Sequence, residues 1–195
     1  NIFAQTDLGI SSFDTDSQKF NSQIIENLDC IVSDFEIIND ELWILCSNGN
    51  LINHTKNLIL NHLIIDSAYD ITIYENSVFM LYLKNGVEGL IEINYNQNQL
   101  VYKDYYEGFA SFGTSFSKSL IFQNKIYLQS NNGIYVGDFE NNLKNNSSWI
   151  KLFNSSNVQD IVIFNNQLFA ICSDGVRVLD EKQSFDNVLE LQIDL

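Results

Sequence analysis

Phe35-Glu-Ile-Ile-Asn-Asp-Glu-Leu-Trp-Ile-Leu-Cys46 is the stretch on which the fold turns, because the chain repeats it. Ile71-Thr-Ile-Tyr-Glu-Asn-Ser-Val-Phe-Met-Leu-Tyr82, Ser119-Leu-Ile-Phe-Gln-Asn-Lys-Ile-Tyr-Leu-Gln-Ser130 and Ile161-Val-Ile-Phe-Asn-Asn-Gln-Leu-Phe-Ala-Ile-Cys172 align with it without a gap. The N-terminal Ile2-Phe-Ala-Gln-Thr6 matches their second halves. In each block two short apolar runs flank a polar pair: Asn39-Asp40, Glu75-Asn76, Gln123-Asn124 or Asn165-Asn166. Asn and Asp tolerate the positive φ that a tight hairpin turn requires, so each block reads as a β-hairpin of strands a and b.

One position of strand b is aromatic in all five units: Phe3, Trp43, Phe79, Tyr127 and Phe169. Aromatic residues are 13% of the chain, so five coincidences by chance are rare. A stack of sheets packed face to face supplies a reason, because a large flat side chain at one repeated place fills the gap to the next sheet. Six residues after four of these aromatics stands Gly9, Gly49, Gly133 or Gly175; in the third unit the matching glycine is Gly89, displaced by a four-residue insertion. Strand c follows and ends at Asp14, His54, Asn94, Asp138 or Asp180. A fourth strand d is expected near Lys56–His62, Gln99–Tyr105 and Trp149–Phe153, and Glu140–Asn146 has room for one helical turn. Four short antiparallel strands in about 40 residues is the size of a propeller blade. The expected fold is an all-β propeller of about five units, one domain or propeller fragment over 1–195; a β-sandwich or another β-repeat array is the runner-up.

Val188-Leu-Glu-Leu-Gln-Ile-Asp-Leu195 reads as a strand a. It either completes the N-terminal unit as a closed five-bladed ring or belongs to a longer propeller; the missing initiator Met favours the longer one.

The chain has 195 residues, no proline and a formal net charge of −15. Such a surface repels nucleic-acid phosphates and anionic headgroups, so nucleic-acid binding is not expected; no apolar run approaches 18 residues, so membrane insertion by a helix is not expected either. Cys30, Cys46 and Cys172 are odd in number and widely spaced, matching neither a disulfide framework nor a zinc site. Cys46 and Cys172 share one repeat position and are expected as small buried apolar residues.

Ile2-Phe-Ala-Gln-Thr-Asp-Leu-Gly-Ile10, Leu42-Trp-Ile-Leu-Cys-Ser-Asn-Gly-Asn50 and Leu168-Phe-Ala-Ile-Cys-Ser-Asp-Gly-Val176 resemble the core of two-component-regulator-type β-propeller repeats. The opening units look most like the N-terminal propeller of the type IX secretion system β-propeller protein. The resemblance implies a non-enzymatic binding or scaffold module, periplasmic or at the cell surface, with a protein or glycan partner on a loop face. The alternative it implies is the extracytoplasmic ligand-sensing propeller of a hybrid two-component regulator.

No Ser–His–Asp set, phosphate-cradling glycine loop or metal-ligand spacing stands out, and His54 and His62 read as peripheral. The expectation is no catalytic residue, no metal and no cofactor. One polar set is periodic. Asp34, Asp70 and Asp160, with Lys118 in the remaining unit, directly precede strand a. In a propeller that place is the mouth of the central channel, where these groups could bind a cation or polar ligand. Hydrogen bonding of each carboxylate to local backbone N–H groups is the competing expectation.

Overall fold

A computed structural model describes residues 2–6, 9–25, 28, 30–61, 64–96, 99–153, 158–180, 184–185 and 187–189. The chain folds into consecutive antiparallel meanders. The first sheet holds β1 (Ile2–Thr6), β2 (Gly9–Asp14) and β3 (Lys19–Ile25). The second holds β4 (Val32–Ile38), β5 (Glu41–Cys46), β6 (Leu51–Asn53) and β7 (Leu58–Leu60). The third holds β8 (Ser67–Tyr74), β9 (Ser77–Lys84), β10 (Val87–Asn96) and β11 (Gln99–Tyr106). The fourth holds β12 (Phe116–Phe122), β13 (Lys125–Ser130), β14 (Gly133–Asp138) and β15 (Trp149–Phe153). The fifth holds β16 (Val158–Phe164), β17 (Gln167–Cys172), β18 (Gly175–Val178) and β19 (Asn187–Leu189). Strands β4, β8, β12 and β16 lie side by side in succession. This is a β-propeller arrangement with its first strands innermost.

The hairpins form where the polar pairs stand. Asn39 and Asp40, Gln123 and Asn124, and Asn165 and Asn166 all adopt φ between 46° and 62°, and Glu75 adopts 52°. Pairing places Trp43 opposite Glu36, Phe79 opposite Thr72, Tyr127 opposite Leu120 and Phe169 opposite Val162, so the four hairpins share one register.

The core is divided among the seams between sheets. Phe3 packs with Ile10, Val32, Leu42 and Ile44 in the first seam. Trp43 (2% exposed) shares the second with Ile71, Met80 and Ile93 and meets Tyr95 edge-on at 5.2 Å. Phe79 shares the third with Phe116, Ile126 and Tyr135. Tyr127 shares the fourth with Val158, Ile161 and Leu168. Each fully buried aromatic contributes on the order of 2–3 kcal/mol. Phe169, on the far face of the fifth sheet's second strand, is half-buried.

Four expectations change. Cys46 is not a lone apolar filler: it is disulfide-bonded to Cys30, and only Cys172 is a free buried thiol. The disulfide pins the chain entering β4 to the end of β5; residues 16 apart meet because the hairpin folds Val32 back opposite Cys46. Val188 and Leu189 do not belong to a strand a, since Asn187–Leu189 pairs with β18 as the outermost strand of the fifth sheet; 190–195 lie outside the described residues. A short 3-10 turn falls at Asn146–Ser148 rather than within Glu140–Asn146, with a second at Ala110–Phe112. Finally, Asp34, Asp70, Lys118 and Asp160 lie inside the innermost strands and do not precede them.

Candidate functional site

The four periodic polar residues share a backbone device. The register slips between Val32 and Asp34, Ala68 and Asp70, Phe116 and Lys118, and Val158 and Asp160. A bulge therefore stands at the same point of every complete inner strand and re-aims the side chain that follows it. Asp34 accepts the N–H of its own neighbour Phe35 through Oδ1 (2.8 Å) and that of Ile71 on the next inner strand through Oδ2 (2.9 Å). Asp70 accepts both the N–H (2.7 Å) and the Oγ–H (2.6 Å) of Ser119 on the strand after that. Lys118 breaks the pattern and donates to Asp160 Oδ1 at 2.7 Å, which also accepts the N–H of Ile161. The carboxylates are thus engaged in holding successive inner strands together.

Burial pushes the Asp70 carboxyl up to about 8 against the two Ser119 hydrogen bonds that favour its ionised form. Burial also raises Asp34, and it raises Glu36, missed in the repeat, to about 6, with Asp34 adding to the shift and Lys118 opposing it. Among the described residues no group of three or more His, Cys, Asp or Glu side chains gathers to hold a metal ion. His54 is exposed, and His62 lies outside the described residues.

A second feature lies on the same face, where the inner strands begin and the β9–β10 hairpin turns. The block-ending residues Ser130 and Cys172 pair directly with Gly133 and Gly175, and Tyr82 pairs in the same way with Gly89. Gly89 is therefore the structural match of those glycines. The four inserted residues lengthen the β9–β10 hairpin beyond that pair to a tip at Asn85-Gly86. The extension is tied on both sides. Asp66 accepts the Asn85 N–H at 2.5 Å, and Glu88 accepts the N–H of Phe116, the first residue of β12, at 2.8 Å.

The extended hairpin walls a cavity of about 590 Å³ lined by Ile64, Ile65, Tyr82, Lys84, Asn85, Val87, Ile91, Tyr102, Tyr105 and Glu107. A Cβ at Gly89 would stand 2.4 Å from the Tyr82 ring, so the glycine lets that ring lie across β10. Its hydroxyl then donates to Glu107 Oε1 at 2.6 Å, just past the end of β11. Tyr102 and Tyr105, on the outermost strand, stay 45% and 47% exposed, and Ile64 is 83% exposed. Sequence reasoning found the insertion and Gly89 but not this cavity, because β11 and the chain before β8 had no repeat signature to place them beside the hairpin.

No protein-family model and no curated protein matches the chain. Solved structures do. PorZ, an essential bacterial surface component of the type-IX secretion system of Porphyromonas gingivalis, is similar at 16% identity and TM-score 0.57, over 79% of this chain and 21% of its own. The N-terminal domain of Nup159 is similar at 12% identity and TM-score 0.60, over 98% of this chain and 63% of its own. The WD40 domain of Neurospora crassa Pan2 is similar at 14% identity and TM-score 0.57, over 92% of this chain and 58% of its own. At such identities the likeness is one of fold. The chain spans about a fifth of the first protein's length and less than two thirds of the other two.

Proposed function

We propose that this propeller is a non-enzymatic binding or scaffold module of a bacterial envelope or type IX secretion-like system, acting outside the cytoplasm. The observation that carries the reading is the β9–β10 extension. Residues repeated from blade to blade serve the repeat, as the inner-strand carboxylates Asp34 and Asp70 do in holding one strand to the next. The four inserted residues belong to one blade alone, and they wall the 590 Å³ cavity on the loop face. Concave sites with apolar and aromatic walls and a few polar groups are the usual places of recognition.

The Cys30–Cys46 disulfide supports an extracytoplasmic location, since such bonds persist in oxidising compartments. Among the described residues no helix is long and apolar enough to cross a membrane. The similarity to a bacterial surface component supports the same setting. On this reading the Lys118–Asp160 pair is a second, polar contact point on the same face, while Asp34 and Asp70 hold the strands beneath it. Of the ion-paired couple, Lys118 keeps 35% and Asp160 39% of its side chain exposed.

The test is a deletion of Leu83, Lys84, Val87 and Glu88, which restores the hairpin to the length of its sisters and keeps the Asn85-Gly86 turn. Both proteins are immobilised and challenged with an envelope fraction of the source cells, with circular dichroism to show that both are folded. A component retained by the full-length hairpin and lost with the shortened one is expected. Equal retention by both overturns the reading.

A further inference from the structure

The inserted hairpin surrounds a set of groups whose chemistry has a direction. Glu107 and three tyrosines line one cavity. One oxygen of Glu107 accepts the Tyr82 hydroxyl, and among the described residues no salt bridge reaches its carboxylate. Tyrosine ring faces carry negative quadrupole density and attract ammonium and guanidinium groups. The molecule already shows this at the cavity edge. Lys144 Nζ sits 5.3 Å from the centroid of the Tyr105 ring while pairing with Asp104 at 2.7 Å. The net charge of −15 adds a long-range field of the same sign. Among the described residues of the lining Lys84 is the one cationic group, and it is exposed near the hairpin tip.

The surroundings favour a polypeptide over a small free cation. Ile64, Val87, Val101, Tyr102 and Tyr105 are all at least 41% exposed on this blade and its entering chain. Apolar surface of that extent beside a charged pocket matches an anchor side chain with apolar flanks. β11 is also a long outermost strand, at 8 residues, and its outer edge offers backbone groups to an added strand.

We infer that the cavity between the β9–β10 hairpin, β11 and Glu107 receives an arginine or lysine side chain from an apolar segment of a protein partner. The side chain lies against Tyr102 and Tyr105 with its charge on Glu107. This rests on the binding-module reading above and names the chemistry of the partner. A charge-assisted hydrogen bond together with a cation–π contact is worth at least about a ten-fold preference for the cation over a neutral isostere.

Calorimetry and tyrosine ring-proton shifts of the 195-residue protein, titrated with acetyl-Ser-Ile-Arg-Ile-Ser-amide, test it. The same peptide with Gln for Arg, and arginine methyl ester alone, are the comparisons. The Arg peptide is expected to bind at least about ten-fold tighter than the Gln peptide and to shift the Tyr102 and Tyr105 signals. Glu107→Gln keeps an acceptor for Tyr82 and should erase the preference; Tyr102→Ala, at an exposed position, should weaken the Arg peptide; Lys84→Gln should tighten it. Equal binding of Arg and Gln peptides, indifference to Glu107→Gln, or no saturable binding at millimolar peptide overturns the inference. Arginine methyl ester binding as tightly as the peptide overturns it too, by making the site one for small cations. If the peptide fails while the shortened hairpin still loses its envelope component, this inference falls and the binding-module reading stands. If the hairpin deletion changes nothing, the reading itself falls.

Discussion

The carboxylate of Asp70 reaches across the seam between the third and fourth sheets and accepts both the main-chain N–H and the hydroxyl of Ser119, at 2.7 and 2.6 Å. Asp34 makes the same reach from the second sheet to the Ile71 N–H. Two successive blades are thus held by a side chain of one and the backbone of the next.

Asp70→Ala leaves the buried Ser119 N–H without its carboxylate acceptor, while the Ser119 hydroxyl keeps Thr72 Oγ1 at 2.9 Å; the lost acceptor costs about 1–3 kcal/mol. Asp70→Asn keeps an acceptor oxygen and should cost less. Asp160→Ala removes a pair whose side chains are 39% and 35% exposed and should cost under about 1 kcal/mol. Urea unfolding of the three variants checks the order; a loss at Asp160 equal to that at Asp70 would contradict the seam argument.

Stability should also depend on pH in an unusual direction. The folded-state value of Asp70, about 8, and that of Glu36, about 6, lie above their ordinary values of 3.8 and 4.5. The folded chain therefore holds these protons more tightly than the unfolded chain. Their contribution is fully present below the ordinary carboxylate range and is lost as pH rises through 6 and 8. Asp14 and Asp104, lowered by hydrogen bonds from Ser17 and Lys144, act in the opposite sense but lie in half-exposed, solvent-screened positions. The melting temperature is expected to rise between pH 8.5 and pH 5, and Asp70→Asn should flatten the upper part of that rise. A melting temperature that falls over that range in the unsubstituted protein would refute it.

Thiol titration should follow the pairing of Cys30 with Cys46. The folded protein is expected to react with no thiol reagent, because Cys172 is buried and its thiol is pushed up by desolvation. Unfolding should release one thiol, and unfolding with reductant all three. Reduction should remove about 3 kcal/mol, the loop-closure value for a cross-link of this span. Three reactive thiols on unfolding without reductant would refute the bond.

Gly89→Ala places a methyl group 2.4 Å from the Tyr82 ring. The ring must lift off β10, and the hydroxyl leaves Glu107. A loss of about 1–3 kcal/mol is expected from the overpacking. Tyr82→Phe, which removes only the hydroxyl bond, should lose about 1 kcal/mol. Thermal melts of both check this; an unchanged Gly89→Ala protein would mean that the ring does not lie over the strand.

Much of the architecture is legible along the chain because it is built from local, repeated contacts. A hairpin needs only two apolar runs and a turn that accepts positive φ, and Asn39-Asp40, Gln123-Asn124 and Asn165-Asn166 announce it within a dozen residues. The identical register of the blocks placed Trp43, Phe79 and Tyr127 at equivalent positions, and Gly89 with Gly133 and Gly175 despite the insertion. Strand d is less legible: β7 and β19 are three residues each, too short for alternation to show, and Val188, which reads as part of a strand a, lies in the outermost strand of a sheet.

The sequence by itself determined the unit, its hairpins and the aromatic spacing. Only the tertiary structure decided what the periodic carboxylates hold, which cysteines join, and what the inserted hairpin faces. The reason is one of range. A turn or an apolar run is specified by neighbours in the chain. Asp70 meets Ser119 49 residues away, and Tyr82 meets Glu107 25 residues away, through a bulge and a missing Cβ whose effects exist only once the sheets are stacked.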